Sequence, residues 1–228
     1  MGKKVGEKRY GGTVGLTNQR LAANVLKGKN MKKHYKSVFE NEQELLKALI
    51  DIHLDGKDIE CDPMYFKGNF YKDGVNPPKY KFDLNPQVEG VKKHDAAFLP
   101  FENSSLDSII LDPPFLFGIH GKTKDYYSSK KYTIFQDERD MRTTYWAIIQ
   151  EAGRVLKKGG TLIFKCQDYT DSKTTITHCY VYHIATEIEG FYAKDLAILV
   201  KPNKITNPNT RQRHLRKIHT YFWVFKKV

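Results

Sequence analysis

Three short stretches of this chain, two alternating apolar with charged residues and one ending in an apolar run, lead straight into an aspartate: residues 59–61 into Asp62, 80–82 into Asp83, and 108–111 into Asp112. Runs of three or four residues bounded by Gly, Pro, Asn and Asp are too short for helices and read as strands, the run before Asp112 being the clearest buried one. A longer pattern follows. Met141, Tyr145, Ile148, Ile149, Ala152 and Val155 recur at helical spacing, which predicts a helix over 138–156 stopped by Gly159-Gly160, with a strand over 161–165 immediately after. Strands alternating with helices make an α/β protein with a mostly parallel sheet. In an open sheet of that kind ligands lie beyond the carboxyl ends of the strands, so Asp62, Asp83, Asp95 and Asp112 are expected to face one cleft.

The flanks fill in the organisation. Asn41 and Glu44 have capping-box spacing ahead of Leu45, Leu46, Ala48, Leu49 and Ile52, predicting a lead-in helix that runs to Gly56. Ser172 caps a further expected helix carrying Ile176, Tyr180, Ile184 and Ile188, ended by Gly190. Two late strands, 196–200 and 220–225, are separated by a basic loop and have no crossover helix between them, so that pair should be antiparallel. Residues 1–36, dense in Lys, Arg and Gly without apolar periodicity, read as a basic, flexible arm, and 37–228 as a single catalytic domain.

Composition narrows the class of partner. The hydrophobic fraction of 40% suits a globular fold, and no apolar run approaches the roughly 20 residues of a membrane span, so neither a membrane nor secretion is expected and the place of action should be cytoplasmic, or nuclear in a eukaryote. Cys61, Cys166 and Cys179 lack metal-site spacing and read as reduced core thiols. No metal is expected. With 38 Lys+Arg against 26 Asp+Glu, the net charge of +12 favours a polyanion.

The tetrapeptide Asp112-Pro113-Pro114-Phe115 closes the clearest strand. It resembles the catalytic D-P-P-[YFW] signature of the class I S-adenosylmethionine-dependent amino-methyltransferases, the adenine-N6 and cytosine-N4 DNA methylases of bacterial or phage type among them. The likeness extends over the run from Asp95 to Asp112, through Leu99-Pro100-Phe101, and over the turn 153–161 between helix and strand. It implies a Rossmann-like, mostly parallel seven-stranded sheet with an antiparallel last strand, and S-adenosyl-L-methionine as cofactor. By the same resemblance Asp95 and Ala96 hold the cofactor's adenine edge, and Asp83 its ribose. Asp62, Pro63 and Gly68 lie around its methionine moiety, although Phe66 stands where the common form of that motif carries glycine.

The chemistry accounts for the residue types. An exocyclic base amine is a poor nucleophile because its lone pair is delocalised into the ring, whereas the cofactor's sulfonium methyl is already activated. The Asp112 carboxylate and the Pro113 carbonyl can each accept an N–H, orienting the nitrogen and offsetting the charge it gains. Consecutive prolines restrict the backbone that aims these acceptors, and Phe115 offers a face on which an extrahelical base can stack.

Two basic stretches are candidate nucleic-acid contacts. Lys124, Tyr126, Tyr127 and Lys130 interleave charge and aromatic rings in a lid over 117–135, while Arg211, Arg213, Arg216 and Lys217 precede the last strand in a basic loop like that closing the DNA methylases. The expected function is N-methylation of a base amine, adenine N6 in DNA first. RNA adenine or guanine remains open, as do a small-molecule or protein substrate and a nucleic-acid-binding protein on a degenerate scaffold. A chain of this length has little room for a separate target-recognition domain, which leaves specificity to the arm, a protein partner or self-association.

Overall fold

The computed structural model describes residues 34–119, 124–125, 133–170, 173–201 and 214–228. Internal contacts divide the chain into Met1–Tyr35 and Lys36–Val228, and the fold is that of the second unit. The expected basic arm lies outside the described residues as far as residue 33.

The strands are β1 (Val38–Phe39), β2 (Cys61–Asp62), β3 (Tyr80–Asp83), β4 (Lys92–Lys93), β5 (Leu106–Leu111), β6 (Leu156–Cys166), β7 (Tyr169–Thr170), β8 (Thr174–Thr175), β9 (Phe191–Val200) and β10 (His219–Lys227); the helices are α1 (Glu42–His53), α2 (Glu138–Val155) and α3 (Thr177–His183). Eight strands form one sheet in the order β1-β9-β10-β6-β5-β2-β3-β4. Within it, β4, β3, β2, β5 and β6 are parallel, and β10 runs antiparallel to both β6 and β9. This is the expected seven-stranded class I arrangement, with β1 added as an eighth strand beside β9.

Alternation within the strands sorts the core into two layers. Ile109 and Leu111 of β5, with Leu162 and Phe164 of β6, pack with Met141, Tyr145, Ile148, Ile149 and Ala152 of α2. Their neighbours Ile110 and Ile163 pack on the other face with Phe222, Val224 and Leu45, Leu46 and Leu49 of α1. From Ile109 to Leu111 β5 is buried on both faces because helices cover both, which is why that end reads as a continuous apolar run. Asn41 caps α1 by accepting the Glu44 N–H at 2.9 Å, and Asp137 does the same for α2 through Asp140 at 2.8 Å.

Several local expectations are corrected. α1 ends at His53 rather than Gly56, closed by the N–H groups of Leu54 and Gly56, both donated to the Ile50 carbonyl. α2 ends at Val155, and Gly159-Gly160 lies inside β6, not at a helix stop; Leu156 is already extended, and residues 157–160 bulge between the Leu106–Leu156 and Ser108–Thr161 pairs. The helix expected from Ser172 begins only at Thr177, after β8, and passes at Ile184 into a π-turn, with Ile176 exposed instead of buried. Cys61 and Cys166 are buried thiols, but Cys179 is exposed. The crossovers β2–β3, β3–β4 and β4–β5 contain no helix, because their Gly, Pro and Asn residues favour turns. Among the described residues no helix is long and apolar enough to cross a membrane.

Candidate active site

The four acids end neighbouring parallel strands. Asp62 and Asp83 are the last residues of β2 and β3, Asp112 follows β5 directly, and Asp95 lies two residues beyond β4. All four therefore stand at one carboxyl edge, on the strands β4-β3-β2-β5.

Asp62 is the most buried of them, at 2% exposure. Its Oδ1 accepts the Met64 N–H at 2.9 Å and its Oδ2 the Tyr71 hydroxyl at 2.7 Å. Burial pushes its carboxyl up to about 7, against the pull of those two donors, and the charges of Asp112 and Asp83 push the same way. Tyr71, half-buried and beside Asp62, is held well above the ordinary tyrosine range by desolvation and by the Asp62 charge, so its hydroxyl remains a donor. Its ring stacks on Tyr65 with centroids 5.2 Å apart. Gly68 makes that stack possible: its φ is +69°, and a Cβ there would fall 2.6 Å from the Tyr65 hydroxyl. Pro63 is buried next to Asp62.

Phe66, which replaces the glycine of the common motif, takes a left-handed φ of 49°, the conformation glycine favours. Its N–H donates to Asp83 Oδ2 at 2.8 Å, and the Asn85 N–H to Asp83 Oδ1 at 2.8 Å. Asp83 thus joins the β2 and β3 loops, while each oxygen retains acceptor capacity for a hydroxyl. Asp95 is exposed and accepts the Ala97 N–H at 2.9 Å; Ala96 is buried in the α2-side core. The loop after them is held from α2. Buried Glu151 accepts the Leu99 N–H, and Arg154, paired with Glu151, donates to the carbonyls of Leu99 and Phe101.

Asp112 Oδ2 is 3.1 Å from Nζ of Lys165 on β6. Burial raises the Asp112 carboxyl above the usual range, Lys165 works against that, and Glu42 adds to it. Pro113 is buried, and the Pro114 carbonyl accepts the Tyr145 hydroxyl at 2.8 Å. Tyr145 is fully buried in α2, and burial holds its hydroxyl well above the ordinary tyrosine range, so it stays a donor. Phe115 lines a cavity of about 250 Å³ together with Lys165, Gln167, Lys201, Lys217 and His219.

Of the predicted nucleic-acid contacts, the structure brings Lys217 to the Phe115 cavity and leaves Arg216 and Lys124 exposed. Tyr126, Tyr127, Lys130, Arg211 and Arg213 lie outside the described residues. The expected lid over 117–135 is joined at its base, where the Gly118 N–H donates to the Phe135 carbonyl and the Phe135 N–H to that of Leu116. Sequence reasoning missed Tyr71, Tyr145, Glu42 and the Glu151–Arg154 clasp. Each acts on a group on another element, so nothing in its local pattern marks it.

A model of the DNA methylase family matches residues 106–228. Comparison with curated proteins returns no match. Similar solved structures include a candidate DNA modification methylase from Thermus thermophilus complexed with S-adenosyl-L-methionine (20% identity over 58% of this chain and 53% of that one, TM-score 0.40). Others are the cytosine-N4-specific PvuII DNA methyltransferase (16%, 60% and 48%, 0.46) and TrmN from Thermus thermophilus (15%, 82% and 49%, 0.45). The chain spans about half the length of the Thermus thermophilus modification methylase. The family match runs from the strand that carries Asp112 to the last residue and takes in more than half of the sequence, so the chain belongs to the N6/N4 DNA methylase family, whose cofactor is S-adenosylmethionine.

Proposed function

We propose that this chain transfers a methyl group to an exocyclic base amine of nucleic acid, with adenine N6 in DNA as the target. The observation that carries the reading is the placement of Asp112 and Phe115: the acid closes the central strand beside a lysine, and the ring lines a cavity with Lys201 and Lys217. DNA is supported by the family description, and adenine by the Asp form of the tetrapeptide.

The carboxyl edge suits the cofactor. Asp83 offers acceptors for its ribose hydroxyls, Asp95 and Ala96 would border its adenine, and Asp62, Pro63 and Gly68 its methionine moiety. The left-handed turn at Phe66–Gly68 keeps that side open, since a Cβ on Gly68 would displace Tyr65. When bound, the cofactor supplies an activated methyl group. The chain's own groups do the rest. Asp112 accepts an N–H of the target amine, turning its lone pair toward the methyl and offsetting the positive charge the nitrogen gains. Tyr145 fixes the Pro114 peptide, which holds the Pro-Pro turn and Phe115 in register with β5. Phe115 stacks the base, while Lys201 and Lys217 meet the adjoining phosphates; further along the strand Arg211, Arg213, Arg216, Lys124 and Lys130 follow the phosphates, and Tyr126 and Tyr127 stack bases.

The test is incubation with labelled cofactor and separate pools of duplex DNA, single-stranded DNA and tRNA, followed by identification of the modified nucleoside. N6-methyladenine in DNA is expected. Label in tRNA alone would overturn the choice of polymer, and N4-methylcytosine that of base. Asp112→Ala should abolish transfer while cofactor binding by calorimetry is retained; wild-type turnover from that variant would sink the mechanism.

A further inference from the structure

Lys165 is a lysine in an unusual setting. Its side chain is 12% exposed, its Nζ is 2.9 Å from Glu42 Oε1 and 3.1 Å from Asp112 Oδ2, and it lies 4.8 Å and 5.6 Å from the ring centroids of Phe70 and Phe222. Glu42, also 12% exposed, is in turn 3.4 Å from Lys201 Nζ through its other oxygen. Four charges of alternating sign, Asp112, Lys165, Glu42 and Lys201, thus connect the β5 acid to the cavity that both lysines line. A buried ion network of this kind is weak as a source of stability, because apolar residues of the same volume usually serve as well or better. Its position is more telling: it ends on the one acid that the Pro-Pro turn holds in place.

We propose that Lys165, held by Glu42, is a positioning residue for Asp112: it engages Oδ2, keeps the carboxylate ionised beside the Phe115 cavity, and leaves Oδ1 to the target amine. Glu42 sets how strongly Lys165 acts, since its charge draws the ammonium away from Asp112. Burial acts to raise the Glu42 carboxyl, yet Lys165 and Lys201 together hold it below the usual range, so it is a carboxylate at neutral pH. Burial disfavours the Lys165 ammonium, but Asp112 and Glu42 outweigh it and raise its pKa, so the lysine stays charged at neutral pH. Among the described residues the other groups facing Asp112 are Lys201, whose charge acts to lower its carboxyl, Tyr145 on α2 and Cys166 on β6, both held protonated by burial, and Asp62 on β2; all four are common to every variant. The inference rests on the methyltransferase reading for its purpose, although its physical core, control of one carboxyl by one lysine, is measurable without turnover.

The experiment is carbon-13 NMR titration of the Asp112 carboxyl, assigned with Asp112→Asn, in the wild type, Lys165→Met and Glu42→Gln, alongside the pH profile of single-turnover methyl transfer. Lys165→Met should move the titration up by about one pH unit, and Glu42→Gln should move it down, because the lysine is then shared with no other acid. The acid limb of transfer should follow in the same two directions. Opposite shifts support the proposal; an unmoved titration, or shifts of one sign in both variants, overturns it. If Lys165→Met does not fold, the downward shift in Glu42→Gln decides alone, read with the folded amide spectrum of the wild type retained, since exposure of Asp112 on loss of structure would also lower its titration; an unmoved or raised titration in that folded variant overturns the proposal. Shifts of the expected signs with no methylation of any nucleic acid would refute the proposed substrate and leave the positioning role intact. Methylation with an unmoved titration would do the reverse.

Discussion

Asp62→Asn tests how strongly burial acts on this site. In the folded chain Asp62 holds its proton up to about pH 7, against an ordinary value of 3.8. The native state therefore binds this proton more tightly than the unfolded chain does. Stability from the site is fully present below about pH 4 and is lost as pH rises toward 7, by about 1.4 kcal/mol per pH unit. Over roughly three units the loss has an upper bound of about 4 kcal/mol, and relaxation around the charge reduces it, so about 2–3 kcal/mol is expected. Asparagine has no proton to lose. Its oxygen can still accept the Met64 N–H, and its amide can donate to the Tyr71 oxygen. The assay is urea unfolding of both proteins, without cofactor, from pH 4.5 to 8. Stability of the variant relative to wild type should rise with pH by about 2–3 kcal/mol and level off above pH 7. A difference that stays constant across that range would refute the reasoning, and would mean that Asp62 is ionised when folded at low pH as well.

Two further outcomes follow from the same edge of the sheet. Tyr145→Phe removes the donor to the Pro114 carbonyl and should cost about 1 kcal/mol in chemical unfolding, lowering turnover while leaving cofactor affinity unchanged. Glu151→Ala strands the Leu99 N–H and half of the Arg154 clasp; a loss of about 2 kcal/mol in thermal unfolding and weaker cofactor binding by calorimetry are expected, because the Asp95–Ala96 loop is then untied from α2.

Much of this architecture was legible in the order of residues. The buried face of α2 follows from the 3.6-residue period of Met141, Tyr145, Ile148, Ile149 and Ala152, and each of these is buried. β5 follows from an apolar run that ends at an acid, and the antiparallel pairing of β9 with β10 from the lack of a crossover helix between them. Where a prediction leaned on one punctuating residue it failed: Gly159-Gly160 proved to be a bulge within a strand, since glycine permits a turn without saying which element contains it.

By itself the sequence determined α1, α2, the central strands and the late antiparallel pair, the placing of four acids at one edge, and the tetrapeptide that follows the central strand. These are local matters of period, length and turn chemistry. Only the tertiary structure decided which charges meet. Glu42 belongs to the first helix and Lys165 to the sixth strand, and they pair because α1 packs on the face of the sheet that holds Ile163, which leaves both side chains too dry to remain alone. The same holds for Tyr71 on Asp62 and Tyr145 on Pro114, where a hydroxyl buried by packing must find its acceptor wherever the fold has placed one.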